Sequence, residues 1–270
     1  MKYGFIGCGN MGSAIAKALA KTTHDICITD RSGKAKALAQ SLNISYGDNH
    51  QVVTQCQRVF LCVKPQMMAQ MLEELKPLLA QHKPMLISMA AGLSLAQLQT
   101  MAGTDLPMVR IMPNTPVAVG KGMIPYCCNS LVSDQDLLDL LADMDYAGTW
   151  DAIEEKWMDS ASALSGCGPA YVYMFLEAMA DGAVARGLPR EKAIAYAATT
   201  IAGAGEMVLQ TKQHPGTLKD AVCSPGGSTI AGVHCLEQHG FRGIVMDCMN
   251  SAYERTKRLG NPEKEGKNGG

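Results

Sequence analysis

The first glycine-rich turn is the stretch that most constrains how this chain can fold. Residues 2–6 form a short apolar segment, the motif Gly7-Cys8-Gly9-Asn10-Met11-Gly12 follows at once, and a helical pattern comes next. Strand, G-x-G-x-x-G and helix in this order are typical of a dinucleotide-binding turn. In such a turn Gly7 permits the tight bend, Gly9 lets a pyrophosphate approach the backbone, and Gly12 lets the helix pack against the strand. The alternative is a tight strand-to-helix turn that binds no ligand.

The alternation of strands and helices continues to about residue 150. Apolar segments predict strands near 2–6, 25–29, 44–46, 58–63, 84–89, 108–112, 123–128 and 147–150. Strands alternating with helices predict an α/β fold, with an N-terminal doubly wound parallel sheet of the Rossmann type. Ligands of such sheets bind beyond the carboxyl ends of the strands. We therefore expect a cofactor crevice lined by residues that follow strands: Cys62, Val63, Lys64, Pro65, Ala90, Ala91, Gly92 and Asn114.

The end of the second predicted strand carries conflicting signals for the choice of cofactor. Asp30 could accept a hydrogen bond from a ribose 2′-hydroxyl, which favours NAD. Arg31, Ser32 and Lys34 could hold a 2′-phosphate, which favours NADP. Because three donors converge while one carboxylate can turn aside, we expect NADPH, with NADH as the alternative. An ordinary solvated turn would also explain these residues.

The pattern changes after about residue 152. No strand-like alternation follows, and long helical runs begin at residues such as Pro169 and Pro189. We therefore expect a Rossmann domain at 1–152, an all-helical dimerisation and substrate domain at 153–260, and a disordered tail at 261–270. The helical part is rich in small residues, as in 195–205, and a helix that is apolar nearly all round must be buried on all sides. This predicts a homodimer.

The loop Ser224-Pro225-Gly226-Gly227-Ser228-Thr229 precedes an apolar run that begins at Ile230. Two glycines and two hydroxyl residues at the start of a helix are suited to binding an anion, because free backbone N–H groups and the positive end of the helix dipole point there. The alternative is a capped turn that leads into a core helix.

The composition excludes several classes of function. The net charge is −1 in 270 residues, so nothing favours nucleic acid or an acidic membrane as a partner. The ten cysteines show no Cys-x-x-Cys spacing, so we expect reduced thiols in a cytoplasmic protein without a metal site. None of the six histidines shows a convincing pairing with a carboxylate. A site without such an acid suits reduction of a C=N bond, which can arrive already protonated.

The chain resembles pyrroline-5-carboxylate reductases over almost its whole length, and six stretches carry the resemblance. They are 6–12, Val63-Lys64-Pro65-Gln66, Ala90-Ala91-Gly92, Arg110-Ile111-Met112-Pro113-Asn114-Thr115-Pro116, Leu164-Ser165-Gly166-Cys167-Gly168-Pro169-Ala170-Tyr171, and 214–216 through 224–232. The resemblance implies NAD(P)H-dependent reduction of 1-pyrroline-5-carboxylate to L-proline, the last step of proline biosynthesis. It also implies a Rossmann domain followed by a helical dimerisation domain.

The resemblance also implies roles for individual residues. Thr229 would hydrogen-bond the ring nitrogen of the substrate and assist proton delivery. The residues implied around the substrate carboxylate are Ser224, Gly226, Gly227 and Ser228, and those implied at the cofactor are the 7–12 turn, Asn49, Val63, Lys64, Pro65, Ala90 and Ala91. Three positions depart from the family pattern: Cys167, Cys223 and Lys212 stand where Ser, Thr or Ser, and an acidic residue are usual.

Two other functions remain open at this point. A 3-hydroxyacid dehydrogenase has a similar size and order of elements, but needs a catalytic lysine soon after a Gly-rich turn. Here the turn at 165–168 is followed by no lysine before Lys192. A non-catalytic dinucleotide sensor would keep the Rossmann half and would not need a second glycine-rich anion site.

Overall fold

The computed structural model describes residues 2–260, so the predicted tail at 261–270 lies outside the described residues. The strands are β1 (Tyr3–Ile6), β2 (Ile26–Thr29), β3 (Ser45–Tyr46), β4 (Arg58–Leu61), β5 (Met85–Ser88), β6 (Met108–Ile111), β7 (Gly122–Cys128) and β8 (Gly148–Ala152). The helices are α1 (Asn10–Leu19), α2 (Lys34–Leu42), α3 (Asn49–Gln55), α4 (Pro65–His82), α5 (Leu95–Ala102), α6 (Asp134–Asp143), α7 (Met158–Ala161), α8 (Gly168–Val184), α9 (Arg190–Thr211), α10 (Pro215–Ala221), α11 (Ser228–Gln238) and α12 (Phe241–Leu259).

The strands form one sheet in the order β3-β2-β1-β4-β5-β6-β7-β8. All neighbouring pairs are parallel except β6 and β7, which are antiparallel. The predicted Rossmann fold is therefore confirmed, but β7 and β8 run antiparallel to the other six strands, which the pattern did not reveal. The connection between β6 and β7 contains only a 3-10 turn, Thr115–Val119. A parallel crossover needs a dozen or more residues, usually a helix, so the chain turns back instead.

Helices cover both faces of the sheet. Every residue of β1, β2, β4, β5 and β6 is buried, as expected for parallel strands in the middle of a doubly wound sheet. One face packs against α3, α4 and α5, and the other against α1, α2 and α6. On the second face the rings of Phe5 and Phe60 stack with centroids 4.5 Å apart. The switch in winding at β1 leaves a crevice beyond the carboxyl ends of β1 and β4.

The described chain divides into two compact units. The first comprises residues 2–167 and 252–260, and the second comprises residues 168–251. Helix α12 thus contributes its last residues to the unit that contains the sheet. The domain boundary at 152/153 stays a prediction, because a compact unit need not coincide with a domain. No helix within residues 2–260 is both long and apolar enough to span a membrane.

The second unit contains α8 to α11 and most of α12, and much of its apolar surface is exposed in the single chain. Helices α8 and α9 are its two longest complete helices, yet each buries at most two side chains fully. The large exposed apolar side chains include Tyr173, Met174, Tyr196, Met207, Leu209, Ile244 and Met246. An apolar surface of this extent marks a protein–protein contact.

Two ion pairs of one buried arginine hold the segment that follows the sheet in place. Arg110 in β6 is 3% exposed, and its guanidinium lies 3.3 Å from Glu155 Oε1 and 2.9 Å from Asp159 Oδ1. Glu155 Oε1 also accepts a hydrogen bond from the backbone N–H of Leu95, at 2.6 Å, at the start of α5. Arg110 therefore ties the segment 155–159 to the centre of the sheet.

Replacing Arg110 with Ala should destabilise the protein by about 3 kcal/mol, because two carboxylates lose their buried partner. Urea denaturation at a fixed protein concentration measures the change. Lys156→Ala is the matched control, since its ion pair with Glu154 is exposed and should contribute less than about 1 kcal/mol. Equal losses in the two variants would contradict the structural role of Arg110.

Candidate functional site

The three glycines of the 7–12 turn have three separable roles. Gly7 has a φ of +97°, in the left-handed region that glycine favours. A Cβ on Gly12 would lie 2.5 Å from the carbonyl oxygen of Gly7, so only glycine lets α1 pack this close. A Cβ on Gly9 would meet nothing within 4 Å. Packing thus explains Gly7 and Gly12, while Gly9 borders open space.

A cleft of about 430 Å³ opens beside this turn. Its floor is the start of α1, where Gly9 is the N-cap and no side chain caps the free backbone N–H groups. These groups can bind an anion, because nothing within the helix accepts from them. The cleft is lined by Cys8, Gly9, Asn10, Ser13, Ala14, Lys17, Asp30, Ser32, Lys34 and Ala118.

Asp30 lines this cleft, and one of its carboxylate oxygens is buried. Its Oδ2 accepts a hydrogen bond from the hydroxyl of Ser32, at 2.5 Å. Its Oδ1 is buried and has no partner among the residues that the structure describes. The structure thus brings the predicted residues Asp30, Ser32 and Lys34 together, whereas Arg31 is exposed and does not line the cleft. Lys17, which no sequence motif indicated, does line it.

The predicted residues after β4 lie at the start of α4. Cys62 and Val63 are half-buried, Lys64 is the exposed N-cap, and Pro65 is the first helical residue. Asn49 is the first residue of α3.

Gly92 has a structural role that the sequence did not reveal. It follows Ala90, which is buried, and has a φ of +76°. A Cβ there would lie 2.6 Å from the carbonyl oxygen of Thr256 and 2.6 Å from the nitrogen of Gly260. The amide of Gln97 also donates to the carbonyl of Gly260, at 3.1 Å. Gly92 therefore admits the end of α12 beside the 90–92 loop.

Both polar atoms of the Asn114 side-chain amide form hydrogen bonds within the protein. Its Nδ2 donates to the carbonyl of Ser165 at 3.0 Å, and its Oδ1 accepts from the backbone N–H of Met123 at 2.9 Å. Ser165 lies in a single turn of π-helix, Ser162–Gly166. The side chain thus holds this turn to the start of β7, and only the backbone of Asn114 is left to contact a cofactor.

The thiols at the turn are chemically inert. Burial, with a smaller contribution from Asp30, raises the pKa of Cys8 to about 12. Burial also raises the pKa of Cys62 well above its ordinary value. Both stay protonated at neutral pH, so neither is a thiolate nucleophile. No group of three or more histidine, cysteine or acidic side chains within residues 2–260 is placed to hold a metal ion.

The second predicted site, the 224–229 loop, is a tight turn in the second unit. The backbone N–H of Gly227 donates to the carbonyl of Ser224 at 3.0 Å. Pro225 and Gly226, with φ of +67°, occupy the middle of the turn, which is typical of type II. A Cβ on Gly227 would meet the hydroxyl of Ser224, so a larger residue there would turn that side chain away from its present position.

Helix α11 begins directly after this turn and has no side-chain cap. Its N-cap is Gly227, and none of its residues is buried in the single chain. A capped turn leading into a core helix is therefore wrong for the chain by itself. Within the described residues the hydroxyls of Ser224, Ser228 and Thr229 form no hydrogen bonds, and the first-turn N–H groups have no intrahelical acceptor. This cluster of donors at the positive end of a helix can bind a small anion.

The histidines supply no acid–base pair in the part of the chain that the structure describes. None of the six forms an ion pair with a carboxylate. His214 instead caps α10, where its Nδ1 accepts from the backbone N–H of Gly216 at 3.1 Å.

Comparison with known proteins shows which families the two parts of the chain resemble. The family model "Pyrroline-5-carboxylate reductase dimerisation" matches residues 155–259, and "NADP oxidoreductase coenzyme F420-dependent" matches residues 2–92. The pyrroline-5-carboxylate reductase of Escherichia coli (strain K12) is 40% identical over 264 residues, which cover 96% of this chain and 98% of the relative. That of Glycine max is 41% identical over 264 residues, with 95% of each chain covered.

Solved structures agree with the sequence relatives. The crystal structure of Plasmodium falciparum pyrroline carboxylate reductase with NADP bound has a TM-score of 0.88 and 36% identity, and the match covers 97% of this chain and 98% of that one. Because the likeness extends over nearly the whole length in sequence and in fold, the chain belongs to the pyrroline-5-carboxylate reductase family.

Proposed function

We propose that this chain reduces 1-pyrroline-5-carboxylate to L-proline with NADPH, as the last step of proline biosynthesis. The observation that carries the proposal is the uncapped start of α11, in a chain of this family. There, three hydroxyl residues lie beside backbone N–H groups that have no intrahelical acceptor. Such a donor cluster matches a substrate with one carboxylate and one ring nitrogen.

The first unit fits a dinucleotide cofactor. The free N–H groups at the start of α1 and the open space over Gly9 suit a pyrophosphate. Asp30 lines the cleft directly after β2, where a carboxylate can accept from a ribose hydroxyl. The residues that would hold the cofactor are the 7–12 turn, Asp30, Arg31, Ser32, Asn49, 62–65, 90–92 and the backbone of Asn114. When bound, NADPH supplies the hydride for the carbon of the C=N bond.

The second unit holds the substrate in this proposal. The backbone N–H groups of Gly226, Ser228 and Thr229 and the hydroxyls of Ser224 and Ser228 bind the carboxylate, and Gly227, whose N–H is used within the turn, lies beside it. The hydroxyl of Thr229 faces the ring nitrogen, where it orients the C=N bond and assists delivery of the proton. Reduction adds one hydride to carbon and one proton to nitrogen, so an imine that arrives protonated needs no strong acid from the protein.

The two competing functions find less support. A 3-hydroxyacid dehydrogenase needs a lysine soon after the Gly-rich turn, but the next lysine is Lys192 in α9. A non-catalytic sensor has no use for the donors at the start of α11. We also infer a cytoplasmic homodimer, supported by ten free cysteines and by the exposed apolar side chains of the helical unit.

The direct test mixes the purified protein with NADPH and 1-pyrroline-5-carboxylate and follows the loss of absorbance of the reduced nicotinamide. We expect turnover, with L-proline identified chromatographically as the product. Turnover of a 3-hydroxyacid with NADP⁺ and none of the imine would refute the proposal in favour of the dehydrogenase.

Replacing Thr229 with Ala should lower kcat by about 10- to 1000-fold, the range for removing one hydroxyl that acts in the transition state. NADPH affinity should stay unchanged, because the proposal places the cofactor in the other unit. Thr100→Ala, the same change on the exposed face of α5, is the control and should retain full activity. Near-normal turnover of Thr229→Ala would remove Thr229 from the mechanism.

Replacing Gly9 with Ala should separate binding from folding. The new methyl group meets no atom within 4 Å, so the free energy of unfolding should change by less than about 1 kcal/mol. The methyl group would stand where a pyrophosphate must approach, so NADPH affinity should fall by more than about tenfold. Fluorescence titration and urea denaturation measure the two effects, and unchanged affinity would argue against the cofactor site.

A further inference from the structure

The end of α12 lies against the loop that follows β5. The residues concerned, 252–260, belong to the same compact unit as the sheet. Thr256 is buried at this contact, and its hydroxyl donates to the carbonyl of Ala252 at 2.9 Å, within the helix. The side chain of Thr256 is therefore used inside α12, and the backbone is what meets the loop.

Two glycines make this close approach possible. A Cβ on Gly92 would lie 2.6 Å from the carbonyl oxygen of Thr256 and 2.6 Å from the nitrogen of Gly260. A Cβ on Gly260 would in turn collide with the carbonyl of Gly92. The loop and the end of α12 thus touch backbone to backbone, and no flexible side chain lies between them to absorb a displacement. A shift of one backbone must move the other.

The side chain of Gln97 joins this contact to the start of α5. Its Oε1 accepts from the backbone N–H of Ser94 at 2.8 Å, and its own N–H donates to the hydroxyl of Ser94 at 3.2 Å, which completes a capping box. Its Nε2 donates to the carbonyl of Gly260 at 3.1 Å. One amide therefore holds both the first turn of the helix that follows the loop and the end of α12.

The hydrogen bonds on the other side of the loop are long. The backbone N–H of Ala90 donates to the hydroxyl of Ser88 at 3.3 Å, and that of Met89 donates to the carbonyl of Leu61 at 3.4 Å. Both distances exceed the usual range for N–H to oxygen bonds, so these bonds are weak. The contact with α12 and the bond from Gln97 are therefore the stronger constraints on the position of residues 90–92.

We propose that the end of α12 positions the 90–92 loop for cofactor binding, and that Gln97 and Gly260 are the positioning residues. The inference rests on the proposed function, in which the 90–92 loop contacts the cofactor. Gln97 and Gly260 are not among the residues that hold the cofactor there. They fix the backbone that does, and a binding group that is misplaced by a fraction of an ångström loses much of its effect.

The test measures the dissociation constant of NADPH for the full chain by fluorescence titration, beside the urea midpoint of each variant. Gln97→Glu keeps an acceptor for the N–H of Ser94 but cannot donate to Gly260, so we expect the dissociation constant to rise about 3- to 10-fold. Gly260→Ala forces a methyl group against the carbonyl of Gly92, and we expect a rise of more than about tenfold.

The matched control is Gln99→Glu. Gln99 lies on the same helix, is half-buried like Gln97, and also donates its amide to a backbone carbonyl, that of Thr104 after the end of α5. Its replacement should lower the urea midpoint about as much as Gln97→Glu does, and should change the dissociation constant of NADPH less than about twofold. In steady-state assays, Gln97→Glu should raise KM for NADPH and leave KM for the imine unchanged.

The outcomes separate this inference from the proposed function. A wild-type protein that binds no NADPH would refute the proposed function. If the wild type binds NADPH, and Gln97→Glu and Gly260→Ala bind it no more weakly than Gln99→Glu does, the positioning role is refuted while the cofactor site stands. Losses of affinity that simply follow the urea midpoint across all three variants would also refute it, because they would reflect stability alone.

Discussion

Backbone N–H groups left free at two helix starts are the constraint on which the rest of this structure depends. Helices α3, α5 and α6 begin with side-chain caps from Asp48, Ser94 and Ser133. Helices α1, α2, α4, α7, α9 and α11 begin without such a cap, and α1 and α11 are the two whose first residues lie in the glycine-rich stretches 7–12 and 224–229. A protein that caps some helices and leaves others open keeps donors available for ligand oxygens. In the proposed function the pyrophosphate of a dinucleotide binds at the start of α1, and the carboxylate of an imino acid binds at the start of α11.

Several residues of the family motifs have side chains that serve contacts within the protein. Arg110 is committed to Glu155 and Asp159, and Asn114 bridges the π-helical turn and the start of β7. Gly92 makes room for the end of α12. A motif can therefore be specific to a family because it shapes the scaffold around a site.

The sequence predicted the fold better than it predicted the roles of side chains. Continuous apolar segments located β1, β2, β4, β5 and β6, because strands buried on both faces leave a strong local signal. The directions of β7 and β8 escaped prediction, since they depend on the short connection between β6 and β7. The place of Lys17 in the cleft could not be predicted, because a lysine on a helix surface carries no local signal. Only the packing of α1 beside β2 brings it there. The side chain of Asn114 escaped because its partners lie far away in sequence.

The chemistry assigned to the site is unusual in needing no histidine, and the pH dependence of kcat/KM tests that claim most directly. A histidine acting as general acid would titrate near pH 6.5. We expect one ionisation only, that of the substrate nitrogen, with the same profile in variants that replace each histidine in turn. A second ionisation near about pH 6.5 that disappears in one histidine variant would contradict a reduction without a histidine acid.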